Sequence, residues 1–243
     1  MASTTKILRL GSVVTSAASS LAAESLATGA VIAVPTDTIY GLACLVQHSA
    51  AVERLYTIKV LCLLNCDKEM CPLNHHVSTF FQGRNAKKPI AICVAEVEDI
   101  YSWANVTVSR QVIEALLPGQ VTLVFTRSEQ LNNKLNPDTD LVGVRIPDHS
   151  FLRHVCRLCG GPLALTSANL SNDQSTLAVE EFSDLHTSLE LVCDGGRLSD
   201  SEEARLGSTV VDLSQEGSFT IIRAGSVREN VETVMKKNGI CQR

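Results

Sequence analysis

Aromatic residues make up only 4% of this 243-residue chain, and its formal charge is −5. RNA-binding modules stack bases on aromatic side chains inside a basic surface, so neither total supports nucleic-acid binding by the chain as a whole. Any such contact would need a local basic patch. No run of eighteen apolar residues is present, which excludes a helical membrane span. The Walker loop and the Gly-x-Gly-x-x-Gly turn are both missing, so a phosphate site would have to be built from side chains. No Gly-x-Ser-x-Gly elbow frames a serine, and the six histidines have no local partner that suggests a hydrolase triad. Cys62-x3-Cys66-x4-Cys71-x3-His75 is loosely zinc-like, but its gaps are irregular, which argues against zinc. Cys156-x2-Cys159 lies in a helical pattern with no second pair and reads as two partly buried thiols. Nine cysteines without a signal peptide read as reduced intracellular thiols, and no protein-held metal is expected.

What is present is globular: 45% hydrophobic and 19% charged residues, enough for one large domain. The organising stretch is Val31 to Leu42, VIAVPTDTIYGL. Its β-branched start predicts a strand buried on both faces, and Pro35 ends the ladder because it has no N–H. Thr36, Asp37 and Thr38 follow at the strand's end, where open α/β sheets place ligands. A plain Asx/Thr turn is the competing reading. Further strands are expected at Lys6–Leu10, Pro89–Val94, through Phe125 after the Pro118-Gly119 turn, and at Val142–Pro147, Pro162–Asn169 and Leu191–Asp194. Gly207–Leu213 and Phe219–Ala224 pair plausibly as a further two. Helices are expected at Ala17–Thr28, closed by Gly29, from Ser49 to Lys59, from Glu96 to Trp103, and at His149–Leu158, Glu180–Leu189 and Val227–Lys237. Interleaved helices and buried strands give an α/β class with a mixed sheet. Residues 1–23 contain no Asp or Glu, which faintly resembles a mitochondrial presequence, but the alternation of Lys6–Leu10 favours structure.

Lys59, Arg84 and Lys88, with Arg145 and Arg223 near strand ends, supply the positive charge for an anion site. Thr36, Thr38, Ser167 and Ser208 add neutral donors. Arg145, alone among Val, Gly and Ile, is either paired in the interior or aimed at an anion.

Seven motifs then occur in order: Pro35-Thr36-Asp37-Thr38-Ile39-Tyr40-Gly41-Leu42; Lys59 with Gly83-Arg84; Lys88-Pro89; Pro118-Gly119-x-x-Thr122; Gly143-x-Arg145-x-Pro147-x-His149; Thr166-Ser167-Ala168-Asn169-x-Ser171; and Ser208-Thr209-Val210-Val211-Asp212. Together they resemble the YrdC-type threonylcarbamoyl-AMP synthases in their short animal form, from about Lys6 to about Gly225. The resemblance implies a twisted, mixed, mostly parallel open sheet with flanking helices and a concave ligand cavity. It implies a YrdC-like domain over 24–230, with 60–82 as an inserted loop, after residues 1–23 and before a tail at 231–243. The activity implied is condensation of L-threonine, bicarbonate or CO2, and ATP into threonylcarbamoyl-adenylate and pyrophosphate. A threonylcarbamoyl-transfer complex would use the product to modify adenosine 37 of ANN-decoding tRNAs. By the resemblance, Lys59 and Arg84 are catalytic and, with Lys88, hold the ATP phosphates. Thr36 and Thr38 lie on the substrate, Thr36 on threonine, and Arg145 on its carboxylate or a phosphate. Thr122, Ser167, Asn169, Ser208 and Arg223 line the nucleotide side, and Thr176 is a further substrate-binding residue. Mg2+ is expected on the ATP, no enzyme nucleophile is needed, and the location implied is cytoplasmic, with a mitochondrial alternative. The rival reading is a tRNA or double-stranded RNA-binding module without catalysis.

Two departures from the family pattern stand out. Asn172-Asp173 replaces the usual glycine region, and Val60 to Gln82 separates Lys59 from Gly83-Arg84 by 23 residues. Deleting that segment restores YTIKGRNAKKPIAICV, a seamless match. A Val codon begins with GT and a Gln codon can end in AG, so an in-frame splice addition is expected. Transcripts from the source tissue should then include a form without those codons.

Overall fold

The computed structural model describes residues 5–11, 16–64, 89–169 and 174–243, with the backbone alone for 60–64. Its strands are β1 Lys6–Arg9, β2 Ile32–Val34, β3 Gly41–Leu45, β4 Ala91–Cys93, β5 Ala104–Asn105, β6 Val121–Arg127, β7 Leu141–Arg145, β8 Leu163–Ser167, β9 Leu191–Asp194, β10 Thr209–Asp212, β11 Ser218–Arg223 and β12 Cys241–Gln242. The helices are α1 Ser16–Ala27, α2 Ser49–Leu64, α3 Val97–Trp103, α4 Arg110–Glu114, α5 Ser150–Cys159, α6 Ser183–His186 and α7 Arg228–Lys237.

The β-branched run before Pro35 forms β2, flat in the middle of a sheet and buried on both faces. Ile32 and Val34 pack with α1 and α5 through Leu26, Phe151 and Val155. Val31 and Ala33, pointing the other way, join a larger core with Val52, Leu55 and Ile100. Alternation of side chains thus divides one apolar stretch between two cores. Each fully buried Leu, Ile or Phe in them contributes about 1.5–3 kcal/mol. Helix α1 closes as expected: Gly29 takes φ +83°, and its N–H bonds to the Leu26 carbonyl.

The strand order is β1-β9-β2-β3-β8-β4-β7-β6-β10-β11-β12, with β5 beside β6. The sheet is mixed and flanked by helices, as expected. Its parallel share is smaller than "mostly parallel" implies, because pairings β1·β9, β2·β9, β4·β7, β6·β10 and β11·β12 are parallel, while the other six described are antiparallel. One of those antiparallel pairs, β2·β3, comes from the six-residue loop at 35–40, too short for a crossover, which returns the chain as the unanticipated strand β3. Two other expectations change. Helix α2 runs past Lys59 to Leu64, five residues into the segment 60–82. The helix expected at Glu180–Leu189 is a 3-10 turn at Val179–Phe182 followed by the single turn α6, with Leu189 outside it.

Register separates the candidate residues onto two rims. Val34 of β2 lies opposite Gly41 of β3, which lies opposite Ser167 of β8, all on one rim. Leu163 of β8 lies opposite Cys93 of β4, which lies opposite Arg145 of β7, on the other rim. Thr122, Ser208 and Arg223 belong with Arg145, because Thr122 pairs with Val210 and Val210 with Arg223.

Candidate active site

The two rims nevertheless meet. From β2 to β7 the order takes four strand-to-strand steps. Across those steps the 35–40 loop reaches Arg145, bringing Asp37 and Thr38 to its guanidinium. Tyr40 anchors the loop's far end: its hydroxyl donates to the Gly196 carbonyl at 2.7 Å and accepts from the Gly195 N–H at 2.9 Å. Burial pushes that phenol well above its ordinary pKa, so it stays a neutral donor.

Where they meet, Arg145 Nη2 donates to Asp37 Oδ1 and to Thr38 Oγ1, both at 2.6 Å. Both charged side chains are only 7% exposed. Of the two readings of Arg145 left open by the sequence, the interior pair is present. A directed hydroxyl chain continues from it. Thr36 Oγ1 donates to the Ile39 carbonyl at 2.7 Å, so across the 3.1 Å contact it accepts the Thr38 hydroxyl proton. The same Thr36 oxygen accepts the N–H groups of Thr38 and Ile39. Thr36 thus shapes the loop by the Thr-turn chemistry that was the competing reading, and Thr38 faces the cavity.

On the same rim as Arg145, Thr122 Oγ1 and Ser208 Oγ lie 2.8 Å apart. Arg223 donates to the Ser208 carbonyl at 2.7 Å and to its hydroxyl at 3.0 Å. Among the described residues no carboxylate pairs with Arg223. Desolvation first, and then the charge of nearby Arg145, lower its pKa. Two guanidiniums close enough to repel, one of them without a counter-ion, make a site that favours an anion.

Lys59 comes from α2 to the opposite rim, where its ammonium donates to the carbonyls of Ser167 at 3.0 Å and Asn169 at 2.8 Å. Thr176 Oγ1 donates to the Ala168 carbonyl, and the Thr176 carbonyl accepts the Tyr40 N–H. Lys59, Ser167, Asn169 and Thr176 therefore form one group where β3 and β8 meet. Arg84 and Lys88 lie outside the described residues, as do the side chains of Cys62, Cys66, Cys71 and His75 and the Asn172-Asp173 departure. Cys156 is buried against Cys93, sulfur to sulfur 3.5 Å, in the α1–α5 core, with Cys159 at its margin. Among the described residues no three His, Cys, Asp or Glu side chains are grouped to hold a metal.

Two hollows flank this arrangement. One of about 280 Å³ is walled by Thr38, Gln120, Glu203, Leu206, Gly225 and Ser226. A smaller one of about 140 Å³ includes Asn169, Gln174, Thr176 and Glu181. Sequence reasoning missed the groups that join them. Gln120 donates to the Asp37 carbonyl at 2.9 Å and accepts from Ser226 Oγ at 2.6 Å. The Pro118-Gly119-x-x-Thr122 motif contained it, but nothing in the spacing marked the amide. Arg205 donates to Glu181 and to the Ser175 carbonyl, while Glu181 accepts the Leu177 N–H.

The Arg205 hydrogen bonds lower the Glu181 pKa to about 2 from 4.5. A folded-state pKa below the unfolded one gives stability that is complete above about pH 5 and fades as pH falls towards 2. Glu181→Gln should cost about 1 kcal/mol at pH 7, because the pair is partly exposed. The difference between the two proteins should shrink on acidification through that window, as followed by urea melts at stepped pH. A constant difference down to pH 2.5 would exclude the ion pair as its source.

The chain is also similar to known proteins. Residues 24–62 and 80–225 match the Sua5/YciO/YrdC family model, described as telomere recombination. The break in the match falls inside the segment 60–82. The chain is 49% identical over 217 residues to a threonylcarbamoyl-AMP synthase of Rattus norvegicus, covering 88% of this chain and 69% of that protein. It is 47% identical over 218 residues to the Homo sapiens threonylcarbamoyl-AMP synthase, covering 89% and 70%. The crystal structure of Pyrococcus abyssi Sua5 complexed with L-threonine superposes with a TM-score of 0.77 at 25% identity, over 98% of this chain and 63% of that one. This chain thus spans just under two thirds of the archaeal protein. Escherichia coli YciO shares the fold, with a TM-score of 0.72 at 21% identity over 92% and 98% of the two chains.

Proposed function

Because this chain belongs to the Sua5/YciO/YrdC family, we propose that it is a threonylcarbamoyl-AMP synthase, making threonylcarbamoyl-adenylate and pyrophosphate from L-threonine, bicarbonate or CO2, and ATP. The chemistry is a nucleotidyl transfer. The neutral threonine amine adds to CO2 and gives up a proton to solvent to form a carbamate, or condenses with bicarbonate to the same carbamate and water, and a carbamate oxygen then attacks the α-phosphorus. One P–O bond forms as the bond to the β-phosphate breaks, and pyrophosphate carries away the charge. No group on the enzyme needs to become covalently attached, so the side chains have to position reactants and offset negative charge.

The observation that carries this reading is the pair of guanidiniums, Arg145 and Arg223, bonded to the hydroxyls of Thr38 and Ser208 with Thr122 beside them, where Thr38 walls a hollow large enough for an amino acid. Arg145 is assigned to the threonine carboxylate. Thr122, Ser208 and Arg223 are assigned to the nucleotide, together with Ser167, Asn169 and Thr176 on the opposite rim. Lys59 and Arg84 are assigned to the phosphates as pyrophosphate leaves, with Lys88 beside them. Asp37 is the carboxylate of the cluster and is already paired with Arg145. Mg2+ therefore enters on the ATP phosphates as part of the substrate. The product passes to a threonylcarbamoyl-transfer complex acting on adenosine 37 of ANN-decoding tRNAs.

The test is pyrophosphate release by the intact chain and by a version lacking Val60 to Gln82. A rate that requires ATP, threonine and bicarbonate together supports the proposal. Failure of both folded forms to turn over, with salt-sensitive tRNA binding in place of turnover, would replace it with the RNA-binding reading.

A further inference from the structure

Arg145 has five N–H donors, and the structure accounts for them unevenly. Nη2 is committed to Asp37 and Thr38. Nε is buried without a partner, and so is the second Asp37 oxygen, Oδ2. Nη1 makes no hydrogen bond among the described residues and is not among the fully buried unpaired atoms, so it is the end of the guanidinium left for a further acceptor, beside Thr38 on the wall of the larger hollow. Asp37 is itself held from a second direction by Gln120, which bonds its backbone carbonyl at 2.9 Å.

A planar guanidinium gripped at one corner by a carboxylate and a hydroxyl has its remaining edge aimed. Without the carboxylate the same side chain would be a buried cation near a second one, Arg223, whose pKa is lowered by desolvation and then by Arg145. It would then tend to swing towards solvent. We propose that Asp37 is the positioning residue for L-threonine: it acts through Arg145, fixing Nη2 so that Nη1 meets the amino-acid carboxylate. This rests on the synthase reading, in which Arg145 receives threonine. It adds a residue whose own charge has the wrong sign to touch that carboxylate.

The two acceptors on Nη2 divide the work. Thr38 accepts without adding charge, whereas Asp37 both accepts and offsets the cation. Asn at position 37 has nearly the same shape but half the acceptor capacity and no charge. It separates the positioning role from simple filling of space.

The experiment is direct calorimetric titration of the full chain with L-threonine and, separately, with MgATP, without turnover. Asp37→Asn should weaken threonine binding by about tenfold or more, as expected for loss of a charge-assisted hydrogen bond, with MgATP affinity within about twofold of the parent. Asp37→Glu should recover part of the threonine affinity. In an Arg145→Ala background, Asp37→Asn should add less than about twofold, because its effect passes through that arginine. Melting curves on each variant identify those that are folded. Unchanged threonine affinity in folded Asp37→Asn would overturn the proposal. So would equal loss of threonine and MgATP, or a full additional loss on top of Arg145→Ala. Absence of threonine binding by the unsubstituted chain and by the form lacking Val60 to Gln82 would instead overturn the synthase reading, and this inference with it.

Discussion

Removal of Val60 to Gln82 should raise threonine-dependent pyrophosphate release by about a hundredfold. Lys59 already stands at the site, its ammonium on the Ser167 and Asn169 carbonyls. Its proposed partner on the phosphates, Arg84, follows it in the chain only after residues 60–83, where deletion would leave Gly83 alone between them. The entropy of closing a longer loop is a minor term, about 0.6 kcal/mol per doubling of length. Placement is the larger one, since a shift of about 1 Å in a catalytic group can cost on the order of a hundredfold in rate. Helix α2 adds to the problem, because it continues through Leu64 and carries the chain about 7 Å beyond Lys59 before another direction is taken. The two forms should therefore differ far more in rate than in melting temperature. Equal rates would show that Arg84 reaches the same phosphate from either connection.

Lys59→Met, made in the form without the segment, should lower turnover by about a hundredfold to a thousandfold. Methionine keeps most of the stem and removes the charge, so packing of α2 is little altered. The loss has two sources. One is the positive charge offered to departing pyrophosphate. The other is the ammonium's hold on two carbonyls at the end of β8, which sets the direction of Ser167 and Asn169. Arginine at this position should restore little, because its planar fork cannot replace a point donor that meets two carbonyls 3.0 and 2.8 Å away. A variant that loses ATP affinity but keeps its maximal rate would move Lys59 from the chemical step to binding alone.

The elements around the site were largely legible from the chain. Val31 to Val34 read as a strand because β-branched residues without alternation fit a sheet covered on both faces, and Gly29 read as a helix end because a positive φ costs it nothing. Strand β3 was not legible. Gly-Leu-Ala-Cys-Leu has little β propensity of its own and is held by pairing with β2 and β8. The segment from Glu180 has helical spacing yet breaks into a 3-10 turn and a single α turn, and Glu181 there is bound to the Leu177 N–H and to Arg205.

Local chemistry along the chain determined the strands, the caps, the hydroxyl-rich loop after Pro35 and the set of residue types able to hold an anion. Tertiary structure alone decided which of them meet. Arg145 and Asp37 lie 108 positions apart and start from opposite rims of the sheet. They become a 2.6 Å pair because the 35–40 loop carries Asp37 from the end of β2 to Arg145 at the end of β7, four strand-to-strand steps along the sheet. A sequence motif records the residues on each side of such a contact; the path between them is set by pairings spread over five strands, and no single residue carries it.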